Sequence, residues 1–96
     1  MTVSVIIPYY NAAKTLKNTV ESVLSQRMMP LEIILVDNNS SDESPMIAKE
    51  LSTQYPKIRL VHEERKGANY ARNKGMREAK GNWLQFLDAD DELLPD

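Results

Sequence analysis

The chain has 96 residues, a formal net charge of −2 and an apolar fraction of 42%. These values are typical of one globular unit near the lower end of domain size. The slight acidity argues against nucleic-acid binding, which usually requires a clearly basic surface. Because there is no cysteine, the sequence offers neither a disulfide framework nor a thiolate metal site.

The apolar stretch nearest the amino terminus, residues 3–7, is far too short for a signal peptide or a membrane span. We therefore expect a cytoplasmic chain, belonging to a longer parent protein that is cytoplasmic or peripheral to a membrane. Residues 92–96 read Glu-Leu-Leu-Pro-Asp, which is typical of the start of another structural element. This pattern predicts that the chain is the first part of a longer polypeptide.

Four segments rich in β-branched and aliphatic residues are predicted to be strands, at residues 3–7, 32–36, 57–61 and 82–87. Helical patterns lie between them. The first has apolar residues at helical spacing from Leu16, with Asn11 expected near its N-cap. The second begins near Pro45 and stops at Pro56. The third has a stripe of small residues and a predicted C-cap at Gly81.

The predicted order β-α-β-α-β-α-β indicates an α/β fold: a single unit with a mainly parallel sheet, helices on both faces and right-handed crossovers. In such open sheets, ligands bind beyond the carboxyl ends of the strands. Aromatic residues follow the first predicted strand, acidic residues follow the second and fourth, and basic residues follow the third. That combination suits a nucleoside diphosphate held with a divalent cation.

Three familiar nucleotide-binding or phosphoacceptor units do not fit. A dinucleotide-binding unit requires a glycine-rich turn after its first strand, whereas residues 8–13 contain no glycine. The P-loop pattern is missing from the sequence. A receiver-type phosphoacceptor domain would have acidic residues at the end of the first strand, and here there are none.

Asp88 and Asp90 are the strongest candidates for a metal site. Residues i and i+2 of an extended segment point to the same side, and carboxylate oxygens suit Mg²⁺ or Mn²⁺. A solvated turn is the commoner meaning of this spacing. Asp37 either caps the next turn or accepts a hydrogen bond from a base N–H. Pro8 and Tyr10 either end the strand or flank a base.

Two basic residues, Lys66 and Arg72, lie near the predicted start of the third helix, where phosphates are favoured. A solvated helix face is the default for the other cations in this region. His62 is the sole histidine, and we expect it to be a surface or structural residue.

Four motifs in order resemble family 2 glycosyltransferases. Residues 3–11 contain the Pro-x-Tyr-Asn pattern, and residues 32–42 are similar to the family's second strand and its Asp-rich turn. Residues 67–75 match Gly-x3-Ala-Arg-Asn-x-Gly, and residues 86–91 match the metal-binding motif. One departure is Asn38-Asn39, which stands where Asp-Gly is frequent.

This resemblance implies the Rossmann-like, nucleotide-binding half of a GT-A fold and Mg²⁺ or Mn²⁺ as cofactor. It also implies inverting transfer of a sugar from a nucleotide-diphosphate donor, most often uridine diphosphate (UDP), to a saccharide or lipid-linked acceptor hydroxyl. Residues 1–96 would form the amino-terminal part of one GT-A domain without its acceptor half. The general base would lie beyond Asp96. We therefore expect the chain alone to be inactive and to self-associate.

The resemblance also implies roles for individual residues. Pro8, Tyr10 and Asp37 would hold the nucleoside, and Arg72 would lie near the base or the diphosphate. Asp88 would approach the ribose or the metal, and Asp90 would be the principal metal ligand. The alternative from another class is a non-catalytic nucleotide-binding or interaction fragment. A nucleotidyltransferase fits less well, because it would carry an early glycine-rich basic loop.

Overall fold

Strands and helices alternate along the chain in a computed structural model that describes residues 2–89. The elements are β1 (Val3–Tyr9), α1 (Leu16–Leu24), β2 (Glu32–Asp37), α2 (Ser44–Gln54), β3 (Ile58–His62), α3 (Ala68–Glu78) and β4 (Trp83–Phe86). The predicted α/β order is confirmed, and the main change is that β1 extends two residues further than predicted. Asp90 and Asp91 lie outside the described residues.

The four strands form one parallel sheet in the order β3-β2-β1-β4. The pairing of β1 with β2 places Tyr9 beside Asp37, and the pairing of β2 with β3 places Asp37 beside His62. On the other side of β1, Ile6 pairs with Phe86 of β4. Because all four strands run the same way, the loops that follow them meet at one edge of the sheet.

Side chains alternate between the two faces of the sheet, and each face is covered by different helices. Val5 and Ile7 belong to the apolar cluster that includes residues of α1 and α2. Ile6 belongs to the cluster on the opposite face, which contains Ala71 of α3. Helices therefore cover both faces, as the sequence predicts.

Close packing explains the small residues of α3. A Cβ atom added at Gly75 would lie 2.4 Å from Cγ2 of Ile6 and 3.3 Å from Cγ2 of Val36. The helix can therefore approach the sheet this closely only with glycine at that position. Ala71, one turn earlier, is fully buried against the same face.

Two predicted helix caps are wrong. Helix α1 begins at Leu16 with Thr15 as its N-cap residue, whereas Asn11 lies in a preceding turn with a φ of 48°. Helix α3 ends at Glu78 with Ala79 as its C-cap residue, so Gly81 lies beyond the cap. Gly81 is required for another reason, because a Cβ atom there would lie 2.8 Å from the backbone nitrogen of Ser4.

A buried polar network ties the opposite, amino-terminal end of the sheet to the segment after α3. The Glu32 carboxylate accepts hydrogen bonds from Ser4 Oγ (2.7 Å), from the Lys80 N–H (2.6 Å) and from Arg59 (2.8 Å). Arg59 also pairs with Glu78 at 3.1 Å. Burial alone would raise the pKa of Glu32, but these hydrogen bonds, chiefly that from Arg59, hold it below its ordinary value.

Helices in the described part of the chain are at most 11 residues long. Among residues 2–89, none has the length and apolar character needed to cross a membrane.

Candidate functional site: the carboxyl edge of the sheet

Two adjoining clefts open at the carboxyl end of β1. Both are lined by Pro8, Tyr9, Tyr10 and Asp88. The first cleft continues towards the start of α1, and the second is closed by Asn38 and by two small residues of α3, Ala68 and Ala71. The structure therefore brings three of the predicted site residues, Pro8, Tyr10 and Asp88, to the same opening.

The two adjacent tyrosines at the end of β1 have different surroundings. Tyr9 is buried in the core, and its pKa is raised by burial first and then by the nearby Asp37 and Asp42 carboxylates. Tyr10 is 57% exposed, so its ring is free to contact a ligand. Tyr9 is therefore a structural residue, whereas Tyr10 is available for recognition.

Asp37 carries two different contacts on its two carboxylate oxygens. Oδ1 accepts a hydrogen bond from the Ser40 N–H at 2.9 Å, which is the turn-capping role considered from the sequence. Oδ2 lies 3.3 Å from Nδ1 of His62. A carboxylate can accept about four hydrogen bonds, so both contacts leave Asp37 able to accept one more from a ligand.

His62 was expected to be a surface or structural residue, and its place beside Asp37 was missed. The signal was present in part, because both residues directly follow predicted strands. Recognising the contact required knowing that β2 and β3 are neighbours, which the sequence pattern does not specify.

The loops after β1 and β2 are joined by side chains. Asn11 Oδ1 accepts from the Ser41 N–H at 2.7 Å, and the Asn11 N–H donates to Ser40 Oγ at 2.9 Å. Asp42 Oδ2 accepts from the Ala13 N–H at 3.1 Å. Asp42 Oδ1 also accepts from the Ser44 hydroxyl, and this hydrogen bond is the main reason that the pKa of Asp42 is lowered. Asn11, which lines the first cleft, and Asp42 therefore join the loop after β1 to the loop after β2.

Side chains within the basic loop between β3 and α3 contact one another and the start of α3. Arg65 donates to Glu63 at 3.1 Å, and its guanidinium carbon lies 4.6 Å above the centre of the Tyr70 ring. Hydrogen bonds from the Arg65 side chain and then from its backbone N–H lower the pKa of Glu63 to about 2. Lys66, the other cation singled out from the sequence, is exposed on this loop.

Arg72 of α3 reaches the end of β4. Its NH2 group lies 3.5 Å from Oδ1 of Asp88, and Asp88 has a side chain that is 61% exposed. The opposite charges of Arg72 and Asp88 are thus adjacent, and Asp88 lines the same clefts as Tyr10. An anionic group and a cation arriving together could each find a partner of opposite sign there.

The fit of a divalent cation can be tested on the described residues. No group of three or more histidine, cysteine, aspartate or glutamate side chains in residues 2–89 is arranged to hold a metal ion. Among the described residues that line the two clefts, Asp88 is the one acidic residue, and its exposed carboxylate is of the kind that Mg²⁺ and Mn²⁺ prefer. The predicted second ligand, Asp90, lies outside the described residues.

The fold and the position of the clefts define a class, the α/β proteins that bind ligands at the carboxyl edge of a parallel sheet. The particular family follows from comparison with known proteins. The model of glycosyl transferase family 2 matches residues 4–96. The chain belongs to this family, as its motifs predict.

Relatives and solved structures agree with this assignment. The chain is 45% identical over 92 residues to the uncharacterized glycosyltransferase YibD of Escherichia coli, covering 96% of the chain and 27% of that protein. It is 36% identical over 94 residues to chondroitin synthase of Escherichia coli, covering 98% of the chain and 14% of the relative.

Two solved structures show the same GT-A fold. One is S. aureus TarS 1-349 in complex with UDP, with a TM-score of 0.85, 28% identity and coverage of 96% of this chain and 28% of that one. The other is the Pyrobaculum calidifontis mannosyltransferase PcManGT with GDP-Man and Mn²⁺, with a TM-score of 0.83, 31% identity and coverage of 92% and 27%. The chain spans less than a third of the length of the two curated relatives, 27% of YibD and 14% of chondroitin synthase.

Proposed function

We propose that the chain is the donor-binding part of an inverting glycosyltransferase, and that it binds a UDP-sugar at the carboxyl edge of its sheet. The observation that carries this proposal is the meeting of Pro8, Tyr10 and Asp88 at one opening, with Arg72 against Asp88. The complex of the similar TarS 1-349 with UDP-GlcNAc supports a donor of this class.

The nucleoside would lie between the end of β1 and the loop after β2. The exposed ring of Tyr10 offers a stacking surface, and Pro8 lines the same opening. Asp37 would accept a hydrogen bond from N3–H of uracil, because its carboxylate keeps acceptor capacity beyond Ser40 and His62. Cytosine carries no hydrogen at N3, so this contact would favour uridine.

The diphosphate would lie at the junction of α3 and β4. Arg72 supplies a planar cation suited to phosphate oxygens. Asp88 and Asp90 would hold Mg²⁺ or Mn²⁺, which when bound offsets negative charge on the departing diphosphate. The solved complexes of the similar PcManGT with GDP-Man and Mn²⁺ and of GalNAc-T7 with UDP, GalNAc and Mn²⁺ are consistent with this cofactor.

In the proposed reaction, an acceptor hydroxyl of a saccharide or lipid-linked sugar attacks the anomeric carbon as the bond to the diphosphate oxygen breaks. A general base takes the hydroxyl proton, and the configuration at the anomeric carbon inverts. We assign no residue of the chain to that base and propose that it lies beyond Asp96. The 96-residue chain would therefore bind donor without transferring sugar, at a cytoplasmic or membrane-peripheral location in its parent.

The alternative is a non-catalytic interaction fragment, which the surface of β4 favours. Three apolar side chains of this edge strand are exposed: Trp83 (60%), Leu84 (38%) and Phe86 (43%). Apolar strand edges tend to pair with other chains, so we also propose that the chain self-associates. Light scattering over a concentration series should show mass rising with concentration, and a constant monomer mass would contradict self-association.

Titration calorimetry distinguishes the two functions. The chain should bind UDP in the presence of Mn²⁺ and bind cytidine diphosphate more weakly. In a separate transfer assay it should release no sugar from UDP-GlcNAc. A chain that binds no nucleoside diphosphate at millimolar concentration, while folded by circular dichroism, would refute the donor-binding proposal and leave the interaction fragment. Measurable sugar transfer would instead refute the placement of the base beyond Asp96.

A further inference from the structure

The Asn38 side chain is buried, and both polar atoms of its amide make hydrogen bonds. Its Nδ2 donates to the carbonyl oxygens of Glu63 (3.1 Å) and Arg65 (2.7 Å), and its Oδ1 accepts from the Gly67 N–H (2.9 Å). Asn38 is 7% exposed. One residue after β2 therefore holds three backbone groups of the segment that leads into α3.

Backbone contacts fix Asn38 itself. Its N–H donates to the Tyr9 carbonyl oxygen at 2.9 Å, at the end of β1. The Glu63 N–H donates to the Asp37 carbonyl oxygen at 2.9 Å, just after β3. The backbone of Asn38 is thus hydrogen-bonded to the sheet, and its side chain is hydrogen-bonded to residues 63–67. The position of the start of α3 relative to the ends of the strands therefore depends on Asn38.

Residues 63–67, which Asn38 holds, lead directly into the part of α3 that lines the second cleft. Gly67 has a φ of 130°, a left-handed conformation that favours glycine, and α3 begins at the next residue, Ala68. Ala68, Ala71 and Asn38 line the second cleft together with Pro8 and Tyr10. Arg72 follows directly and reaches Asp88. The width of this cleft and the location of Arg72 both depend on where α3 begins.

We propose that Asn38 is a positioning residue for the donor site, which holds the start of α3 so that Arg72 meets the diphosphate. This inference rests on the proposed donor-binding function. An amide suits this position because it donates to two carbonyl oxygens, whereas an aspartate carboxylate, frequent at this position in the resemblance, offers no donor. Asparagine in place of aspartate at position 38 therefore suits the two carbonyl oxygens and the N–H that residues 63–67 present to it.

The next residue has a different and smaller role. Asn39 has a φ of 66°, which asparagine tolerates better than most residues and glycine adopts freely. Its side chain donates to the Glu64 carbonyl oxygen at a more exposed position. Asn39→Gly keeps the backbone conformation and removes only this outer contact, so it is a matched control for changes at Asn38.

The test compares UDP with uridine, both measured by calorimetry at one fixed Mn²⁺ concentration. In Asn38→Ala we expect UDP affinity to fall about tenfold, the equivalent of about 1.4 kcal/mol, while uridine affinity stays within about twofold of the parent. The reason is that Pro8, Tyr10 and Asp37 still hold the nucleoside, whereas Arg72 is displaced. Asn39→Gly should behave like the parent for both ligands.

A double-mutant cycle identifies the route of the effect. In an Arg72→Ala background, Asn38→Ala should cause little further loss of UDP affinity, because the group that it positions is gone. Equal losses for UDP and uridine in folded protein, or additive losses in the cycle, would overturn the inference. If Asn38→Ala does not fold, Asn38→Ser serves as the second variant, since it removes the amide without placing a carboxylate against the Glu63 and Arg65 carbonyl oxygens.

Failure of both variants to fold would make Asn38 a folding residue and also overturn the inference. These outcomes are separate from the failure of the proposed function, which is judged on the parent chain. A parent that binds no UDP refutes donor binding, whereas a parent that binds UDP with unchanged affinity in Asn38→Ala refutes only the positioning role.

Discussion

The Nδ1 atom of His62 lies 3.3 Å from Oδ2 of Asp37, across the β2–β3 pair at the carboxyl edge of the sheet. The other oxygen of Asp37 accepts from the Ser40 N–H. Asp37 therefore caps the turn through Oδ1 and contacts His62 through Oδ2, and its side chain is only 16% exposed. The role in the turn and the proposed role in base recognition can be separated experimentally, because Oδ1 is used by the turn.

Asp37→Asn should weaken UDP binding by about 1–3 kcal/mol, the cost of losing a hydrogen bond to a charged group. The amide keeps an oxygen for the Ser40 N–H but presents an NH₂ group where the base N–H requires an acceptor. The preference for UDP over cytidine diphosphate should shrink at the same time. Calorimetry with both nucleotides measures the two effects.

His62→Ala is the matched control at this position. It removes the neighbour of Asp37 and leaves the carboxylate, so UDP affinity should not fall. Equal UDP affinity for Asp37→Asn and the parent would remove Asp37 from the base site.

Gly75→Ala should destabilise the fold by about 1–3 kcal/mol, because the added methyl group would lie 2.4 Å from Cγ2 of Ile6. Alanine is favoured over glycine in a helix by about 1 kcal/mol, so the same substitution at an exposed helix position would be expected to stabilise the fold. Urea unfolding measures the difference. Asn73→Ala, at an exposed position of the same helix, should be neutral or stabilising, and equal stability of Gly75→Ala and the parent would contradict the packing described for α3.

Acid should destabilise the chain partly through Glu63. The hydrogen bonds from Arg65 lower the pKa of Glu63 in the folded state from 4.5 to about 2. The unfolded state binds this proton first as the pH falls, so the stabilisation is complete above the unfolded pKa and is lost as the pH falls towards about 2. Glu32, whose pKa is also lowered, acts in the same direction.

Glu63→Gln tests this assignment. Its urea midpoint should fall less than that of the parent between about pH 5 and about pH 2.5, because the variant lacks one carboxylate that must be protonated. Arg65→Gln should show a shallower dependence than the parent but a steeper one than Glu63→Gln, since it removes the guanidinium and keeps the backbone N–H that also donates to Glu63. Identical pH profiles for all three proteins would show that this pair does not contribute to acid stability.

Local sequence patterns predicted most of the fold. Continuous apolar runs located the strands, and the small residues around Gly75 predicted a close helix–sheet contact. Strand order was not predictable, because the pattern of a strand carries no information about which neighbour it pairs with. The contacts of Asp37 with His62 and of Asn11 with Ser41 depend on that order. Asn38 was missed because a turn asparagine commonly bonds only its own loop.

Asp90 is the residue on which the proposed metal site depends most. The last described strand ends at Phe86, and Asp88 follows it with an exposed carboxylate beside Arg72. In an extended segment Asp90 would share a side with Asp88, whereas Asp91 would point away. Asp90→Asn keeps the size and removes the charge, so it should abolish the Mn²⁺-dependent part of UDP binding, while Asp91→Asn should retain most of it.

The measurement is a Mn²⁺ titration of both variants in the presence of UDP, with circular dichroism to verify folding. Binding of the nucleotide without metal should be similar in the two variants, because Pro8, Tyr10 and Asp37 do not depend on the cation. A diphosphate gathers negative charge as the anomeric bond breaks, and only a cation held by an ionised ligand offsets it in place. If Asp90→Asn binds Mn²⁺ and UDP as tightly as the parent, the cation is held elsewhere, and the paired-carboxylate interpretation of Asp88 and Asp90 is wrong.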